Sequence, residues 1–217
     1  MTPDTPTTDL ATALREYVEG YLVEDDALMS ARARGMALGC TPVAASSGAA
    51  LQFLAAAVRA RAVVEIGTGA GVSGLYLLRG MQPDGVLTSI DVEPEHQSAA
   101  KRAFTDAGVG SGRTRLIMGR ALDVLPRLTD AAYDLLFADA ALPEYPSYHQ
   151  QGVRLLRPGG VIVFDNVMPS GHVANPARRD AETMALREVA RAVRDDDRLV
   201  PLLLPLGDGM LVAAKSG

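Results

Sequence analysis

From Ala62 onward the chain alternates short, unbroken apolar runs with stretches of helical periodicity. The runs are AVVEIG, GVLTSID, TRLIM, YDLLFAD and GVIVFDN, and the helical stretches are GVSGLYLLRGM, EPEHQSAAKRAF, ALDVLPRL, YPSYHQQGVRLL and ARRDAETMALREVARAV. A strand that lacks polar alternation is buried on both faces, and strands that take turns with helices pair in parallel. The pattern therefore predicts an open, doubly wound α/β sheet with helices on both faces. The end of the chain departs from it: RLVPLLLPL, then Gly207-Asp208-Gly209, then MLVAAK, is two apolar runs about a tight turn. That reads as a hairpin and adds antiparallel pairing to a mostly parallel, seven-stranded sheet.

Upstream of the sheet, Leu10, Leu14, Tyr17, Val18, Tyr21 and Leu22 recur at helical spacing, followed by Leu28, Met29 and Met36. Two short helices between Asp9 and about Gly39 fit this. CTPVAASSG reads as a loop by its Pro, Ser and Gly content, and AALQFLAAAVRA as a third helix. The Thr/Pro-rich residues 1–8 read as a flexible tail, with Thr8 or Asp9 capping the first helix. A chain of 217 residues suits one domain. We place it at 9–217, with N-terminal helices over 9–60 and the α/β core over 61–217.

Composition excludes several function classes. The formal net charge is -5 and the Lys and Arg residues are scattered, nearly all of them singly, so there is no basic stripe for a phosphate backbone, and no nucleic-acid partner is expected. The single cysteine, Cys40, rules out an intrachain disulfide and reads as a small buried hydrophobe. The start MTPDTPTTD lacks the basic and apolar regions of a secretory leader, and no apolar run is long enough to span a bilayer. A cytoplasmic protein without a membrane partner is the expectation.

Between the first strand and its helix, VVEIGTGAGVSGLYLL sets Gly67, Gly69, Gly71 and Gly74. Glycines there permit a tight turn and close approach of a ligand, and the following helix offers free N–H groups and a partial positive charge. Gly69-Gly71-Gly74 fits the dinucleotide spacing GxGxxG, and Gly67-Gly69-Gly71 fits GxGxG, so the glycines leave two cofactor classes open. Glu65 is an acid inside an apolar strand, which costs free energy without a partner. A cationic ligand would be such a partner; bonds from nearby backbone N–H groups are the other. At the end of the second strand, Asp91 is placed as an acceptor for ribose hydroxyls in either cofactor class. Pro94 fits a first helical turn, which makes Glu93 a cap.

Ligands of open α/β sheets sit beyond the carboxyl ends of the strands. DLLFADAALPEY ends a strand on Asp139, and GVIVFDN ends the next on Asp165 and Asn166. Two carboxylates and an amide converging on one edge repel unless neutralised, and an oxygen-only set suits a hard divalent cation such as Mg²⁺. The alternative is that both acids merely cap the loops that follow.

Together, VVEIGTGAGVS, SIDVEPE, GRALDVLP, YDLLFADA, GGVIVFDNV and PLGDGMLVAAK resemble the metal-dependent, catechol and caffeoyl-CoA O-methyltransferase-like family over nearly all of Cys40 to Lys215. The resemblance implies a Rossmann-like class I methyltransferase fold and S-adenosylmethionine as methyl donor. It places Glu65, Gly67 and Ser73 at the methionine part, Asp91 at the ribose and Gly119 to Ala121 at the adenine edge, has Val43 close the site from the loop before the third helix, and counts Thr68, Gly69 and Asp139 among the cofactor-binding residues. Asp139, Asp165 and Asn166 match the family's metal ligands, the acceptor is a small catechol-like phenol, and the N-terminal helices imply a homodimer.

One position departs from the family. Where the family has Asp-Ala-Asp-Lys, with lysine as the base, Asp139 is followed by Ala140, Ala141 and Leu142, and the chain has no tryptophan for an aromatic acceptor wall. Leu142 takes no proton, so the expected acceptor is His172 in DNVMPSGH or a metal-bound water. His96 and His149 fall on expected helices and read as surface residues. Two rivals stay open: a paralogue with another acceptor or a non-catalytic S-adenosylmethionine-binding protein, and an NAD-dependent oxidoreductase.

Overall fold

Strands β1 (Ala62–Ile66), β2 (Val86–Asp91), β3 (Thr114–Met118), β4 (Tyr133–Ala138) and β5 (Leu156–Phe164) pair in parallel. β7 (Met210–Lys215) lies antiparallel to β5, and β6 (Leu199–Leu204) lies outside β7, giving the order β3-β2-β1-β4-β5-β7-β6. The structure, a computed structural model, describes residues 7–217. The expected hairpin is therefore present, with β7 wedged between the parallel strands and the edge.

Successive residues of each central strand go to opposite faces, and both faces are apolar. Val63, Leu87, Leu135 and Phe137 join one core with α2 (Asp26–Ala37), α3 (Ala45–Ala57), α4 (Val72–Gly80) and α5 (Pro94–Asp106). Val64, Ile90, Leu136 and Phe164 join the other with α6 (Ala121–Val124), α7 (Tyr145–Leu155) and α8 (Ala181–Asp195). This double burial is why the strands read as continuous apolar runs.

The register brings the strand ends level: Ile66 pairs with Ile90 and with Ala138, and Ala138 pairs with Phe164. The chain leaves β1 for β2 and β3 on one side, then returns to β4 on the other. That reversal opens a crevice above β1 and β4, where ligands of such sheets bind.

Several boundaries differ from expectation, each for a physical reason. Residues 45–48, read as loop, already belong to α3. Ala44 makes no side-chain cap, but Glu19, the last residue of α1 (Thr7–Glu19), accepts from Ser46 N at 3.1 Å and Ser46 Oγ at 2.5 Å. A carboxylate from another helix thus caps this one. α6 stops at Val124 and tightens into a 3₁₀ turn at Leu125–Arg127, where Pro126 has no N–H to continue the helix. α8 begins at Ala181, four residues later than read, where Asp180 accepts from Thr183 N at 3.0 Å. α1 is helical from Thr7, ahead of the expected cap, and residues 1–6 of the expected tail lie outside the described residues. His149, read as a surface residue, is buried between α7 and the end of α8, its Nε2 3.6 Å from Asp196 Oδ2. No described helix is long and apolar enough to cross a membrane.

Candidate active site

A cavity of ≈ 460 Å³ opens at the carboxyl edge, in the crevice beside β1. Gly67, Thr68, Gly69 and Ser73, from the loop after β1 and the first turn of α4, line one wall. Gly67 sits at φ +95°, and a Cβ there would stand 2.0 Å from the carbonyl oxygen of Asp139. Any side chain would push the ends of β1 and β4 apart.

Glu65 is fully buried just behind this wall. Ser73 Oγ donates to its Oε1 at 2.6 Å and Ser89 Oγ to its Oε2 at 2.5 Å, while Thr68 Oγ1 lies 2.7 Å from Ser89 Oγ. The partners are side-chain hydroxyls, not the backbone N–H groups that sequence reasoning offered as an alternative to a ligand. Burial pushes the Glu65 carboxyl up to about 7, against the two hydroxyls that favour its ionised form.

Asp91 ends β2 and is held on both oxygens: Gly69 N donates to Oδ2 at 2.9 Å and Glu93 N to Oδ1 at 2.9 Å. Glu93 holds the cap position of α5, with Pro94 following, but makes no side-chain cap bond. His96 Nδ1 stands 3.4 Å from Asp91 Oδ2, and His96 lines the cavity, contrary to its reading as a surface residue. The signal was in the sequence: His96 falls in the first turn of the helix that Pro94 starts beside Asp91. Gly119, Ala121 and Val43 also line the cavity. Arg120 Nη2 donates to Glu144 Oε1 at 3.2 Å, and Tyr148 OH to Glu144 Oε2 at 2.6 Å. Arg120 belongs to the turn expected at the adenine edge, and Glu144 and Tyr148 were not foreseen as lining residues. Cys40 is half-buried and also lines the cavity, a correction to its reading as a core residue.

Asp139 and Asn166 line the cavity, and Asp165 is buried next to them. Asn166 Nδ2 donates to Asp139 Oδ1 at 2.7 Å. Burial pushes Asp139 up to about 6; burial and then the Asp139 charge push Asp165 up to about 7. Tyr145, in the first turn of α7, donates its hydroxyl to Asp165 O at 2.9 Å and Ala138 O at 3.2 Å, fastening the ends of β4 and β5 together. Asp165 Oδ1 is buried without a hydrogen bond of good geometry; the Ser47 hydroxyl, also buried, favours the ionised form of Asp165 from too poor a geometry to count as a full bond. An underbonded carboxylate oxygen beside a second carboxylate and an amide is a donor set that fits a hard cation. Among the described residues no group of three or more His, Cys, Asp and Glu gathers.

Leu142 opens the 3₁₀ turn Leu142–Glu144 and packs against the apolar core on the α7–α8 face. His172 lies in the 3₁₀ segment Pro169–Ala174 and is absent from the cavity lining. Arg187 of α8 holds that segment by donating to Val173 O at 3.0 Å and His172 O at 3.2 Å, and His172 Nδ1 faces Arg178 Nη2 at 3.4 Å. The structure therefore does not bring His172 to Asp139, Asp165 and Asn166.

Comparison with known proteins agrees with this geometry. The O-methyltransferase family model matches residues 24–216. A Mycolicibacterium vanbaalenii protein that carries an O-methyltransferase name is 54% identical over 205 residues, covering 94% of this chain and 91% of that protein. A Mycobacterium marinum protein of the same name is 52% identical over 214 residues, covering 99% of this chain and 96% of that protein. The O-methyltransferase TomG from Streptomyces achromogenes, involved in tomaymycin synthesis and solved in complex with S-adenosylmethionine, has a TM-score of 0.86 at 31% identity, covering 98% of this chain and all (100%) of that one. With the glycine loop, the buried acid behind it and Asp91 at the next strand end, these matches show that the chain belongs to the O-methyltransferase family and is an S-adenosylmethionine-dependent enzyme.

Proposed function

We propose that the enzyme methylates a hydroxyl of a small catechol-like acceptor, with a divalent cation, Mg²⁺, held by Asp139, Asp165 and Asn166. The observation that carries this is the pair of buried carboxylates with raised pKa values, one oxygen of which lacks a hydrogen bond of good geometry. Such a pair is costly by itself and is relieved by a positive charge. Asn166, whose amide nitrogen now donates to Asp139 Oδ1, would offer its amide oxygen to such a cation.

In this reading Gly67, Thr68, Gly69 and Ser73 hold the methionine part of the donor. Glu65 acts behind Ser73 as the negative charge that favours a cationic ligand, Asp91 takes the ribose, and Gly119 and Ala121 border the adenine. Val43 closes the site. S-adenosylmethionine supplies the methyl group on a sulfonium, and the transfer is an in-line displacement in which opposite charges cancel. The protein's task is thus mainly to position the two reactants. Asp139, Asp165 and Asn166 would hold a divalent cation, which would supply Lewis acidity that lowers the pKa of the acceptor hydroxyl. With Leu142 apolar and His172 outside the cavity lining, solvent water at the open mouth receives the proton.

Leu10, Leu14, Tyr17 and Tyr21 expose one apolar stripe of the N-terminal helical region, between 57% and 72% accessible, which supports a homodimer. We assign the enzyme to the cytoplasm, in keeping with its single cysteine and acidic balance.

The test is turnover of S-adenosylmethionine to S-adenosylhomocysteine with 3,4-dihydroxybenzoate, in Mg²⁺ and in chelator. Product formed in Mg²⁺ and reduced at least about 100-fold in chelator or in Asp165→Ala supports the reading. Equal turnover in both conditions contradicts the metal, and turnover only with monophenols contradicts the diol acceptor.

A further inference from the structure

Pro42 and Val43 wall the cavity on a connection between α2 and α3 that has no regular structure of its own. Such a segment borders a ligand stably only if something else holds its backbone. Arg32 of α2 does so: Nη1 donates to Val43 O at 2.8 Å and lies 3.5 Å from Pro42 O. The rest of the guanidinium forks onto Glu24, with Nε at 2.9 Å from Oε2 and Nη2 at 2.5 Å from Oε1. Glu24 Oε1 also accepts from Tyr76 OH at 2.9 Å. Tyr76 stands on α4, the helix that the glycine loop opens. One chain of bonds therefore runs from α4 through Glu24 and Arg32 to the Pro42–Val43 segment.

The pair is sheltered, with 24% of the Arg32 side chain and 12% of the Glu24 side chain accessible. Three residues along α2, Gly35 lets the helix lie close to both walls. A Cβ there would stand 3.0 Å from Pro42 Cγ and 3.3 Å from Ala70 Cβ. α2 thus touches the Pro42 segment and the glycine loop together.

We propose that Arg32 is a positioning residue for the methyl donor: its fork on Glu24 fixes the Pro42–Val43 wall at the distance from the glycine loop that the donor requires. The inference rests on the reading that this cavity holds S-adenosylmethionine. A planar guanidinium serves a carboxylate and a carbonyl at once, which an ammonium does less well. Without it the segment samples more conformations, and the ligand must order it on binding, so affinity falls.

The test is calorimetric titration of S-adenosylhomocysteine into wild type, Arg32→Met, Arg32→Lys and Arg157→Met, with thermal unfolding of each ligand-free protein. Arg157 is the control, because its Nε bonds Asp134 Oδ1 at 2.6 Å near the amino end of β4, away from the cavity. Both methionine variants lose thermal stability, but only Arg32→Met raises Kd, by about tenfold or more, and Arg32→Lys recovers part of the loss. Wild-type affinity in Arg32→Met overturns the inference, as does an equal loss in Arg157→Met, which would make the effect one of general stability. Full affinity in Arg32→Lys overturns the role of the fork. If Arg32→Met does not fold, Glu24→Gln, which keeps an acceptor for Tyr76, takes its place with a Kd raised severalfold, and unchanged affinity there overturns the inference. No binding by wild type would instead overturn the cavity assignment on which the inference rests.

Discussion

Glu65 is a fully buried acid inside an apolar strand. Its carboxyl is pushed up to about 7 from an ordinary value near 4.5, so the folded chain keeps a proton that the unfolded chain releases. The sign follows: its contribution to stability is complete below about pH 4.5 and is lost as pH rises through about 7. Ligand-free Glu65→Gln is therefore predicted to lose less stability than wild type between pH 5 and pH 8. The difference in slope, read by denaturant unfolding at several pH values, is about 1 kcal/mol per pH unit at most. Parallel pH profiles for the two proteins would show that Glu65 does not titrate there. Sequence alone exposed Glu65, Asp91 and Asp139 as acids at the ends of apolar runs, because that pattern has a free-energy cost that needs an explanation. It did not expose their partners. Ser89 comes from a neighbouring strand, and His149 becomes buried only where α7 meets the end of α8.

At the scale of elements, the central strands were legible because burial on both faces leaves an unbroken apolar run, and the terminal hairpin because Gly-Asp-Gly parts two such runs. The start of α3 was not, since its cap is Glu19 of another helix. The bridge from α7 to the metal-proposed edge was equally hidden: Tyr145 looks like any core aromatic until its hydroxyl is seen on the carbonyls of both Ala138 and Asp165. Tyr145→Phe keeps the packing and takes the hydroxyl from Asp165 O, while Ala138 O keeps the Asp165 N–H at 3.0 Å. A loss of about 1–3 kcal/mol is predicted in denaturant unfolding, together with weaker binding of Mn²⁺ as a spectroscopic stand-in for Mg²⁺. Unchanged stability and unchanged Mn²⁺ affinity would mean that the strand ends hold their spacing without it.

For the whole molecule, the reversal of strand order between β2-β3 and β4-β5 decides where a ligand can enter, and it places the glycine loop, Asp91 and Asp139 around one cavity. The connection between α2 and α3 lines that cavity with Cys40 to Val43, and α1 exposes Leu10, Leu14 and Tyr17. Sedimentation is predicted to give about twice the chain mass of 22.8 kDa for wild type, and the single mass for Leu14→Asp combined with Tyr17→Asp. A monomeric wild type at micromolar concentration would remove the homodimer. In the proposed function the cavity takes the methyl donor and the adjoining carboxylates take a cation. Calorimetry tests it most directly, titrating S-adenosylhomocysteine and then Mg²⁺ into wild type and Asp139→Ala, with and without chelator. The prediction is tight binding of S-adenosylhomocysteine by wild type and a separate Mg²⁺ heat that is absent in Asp139→Ala. Binding of S-adenosylhomocysteine with no Mg²⁺ heat under any condition would contradict the metal site, and absence of both heats would contradict the proposal entirely.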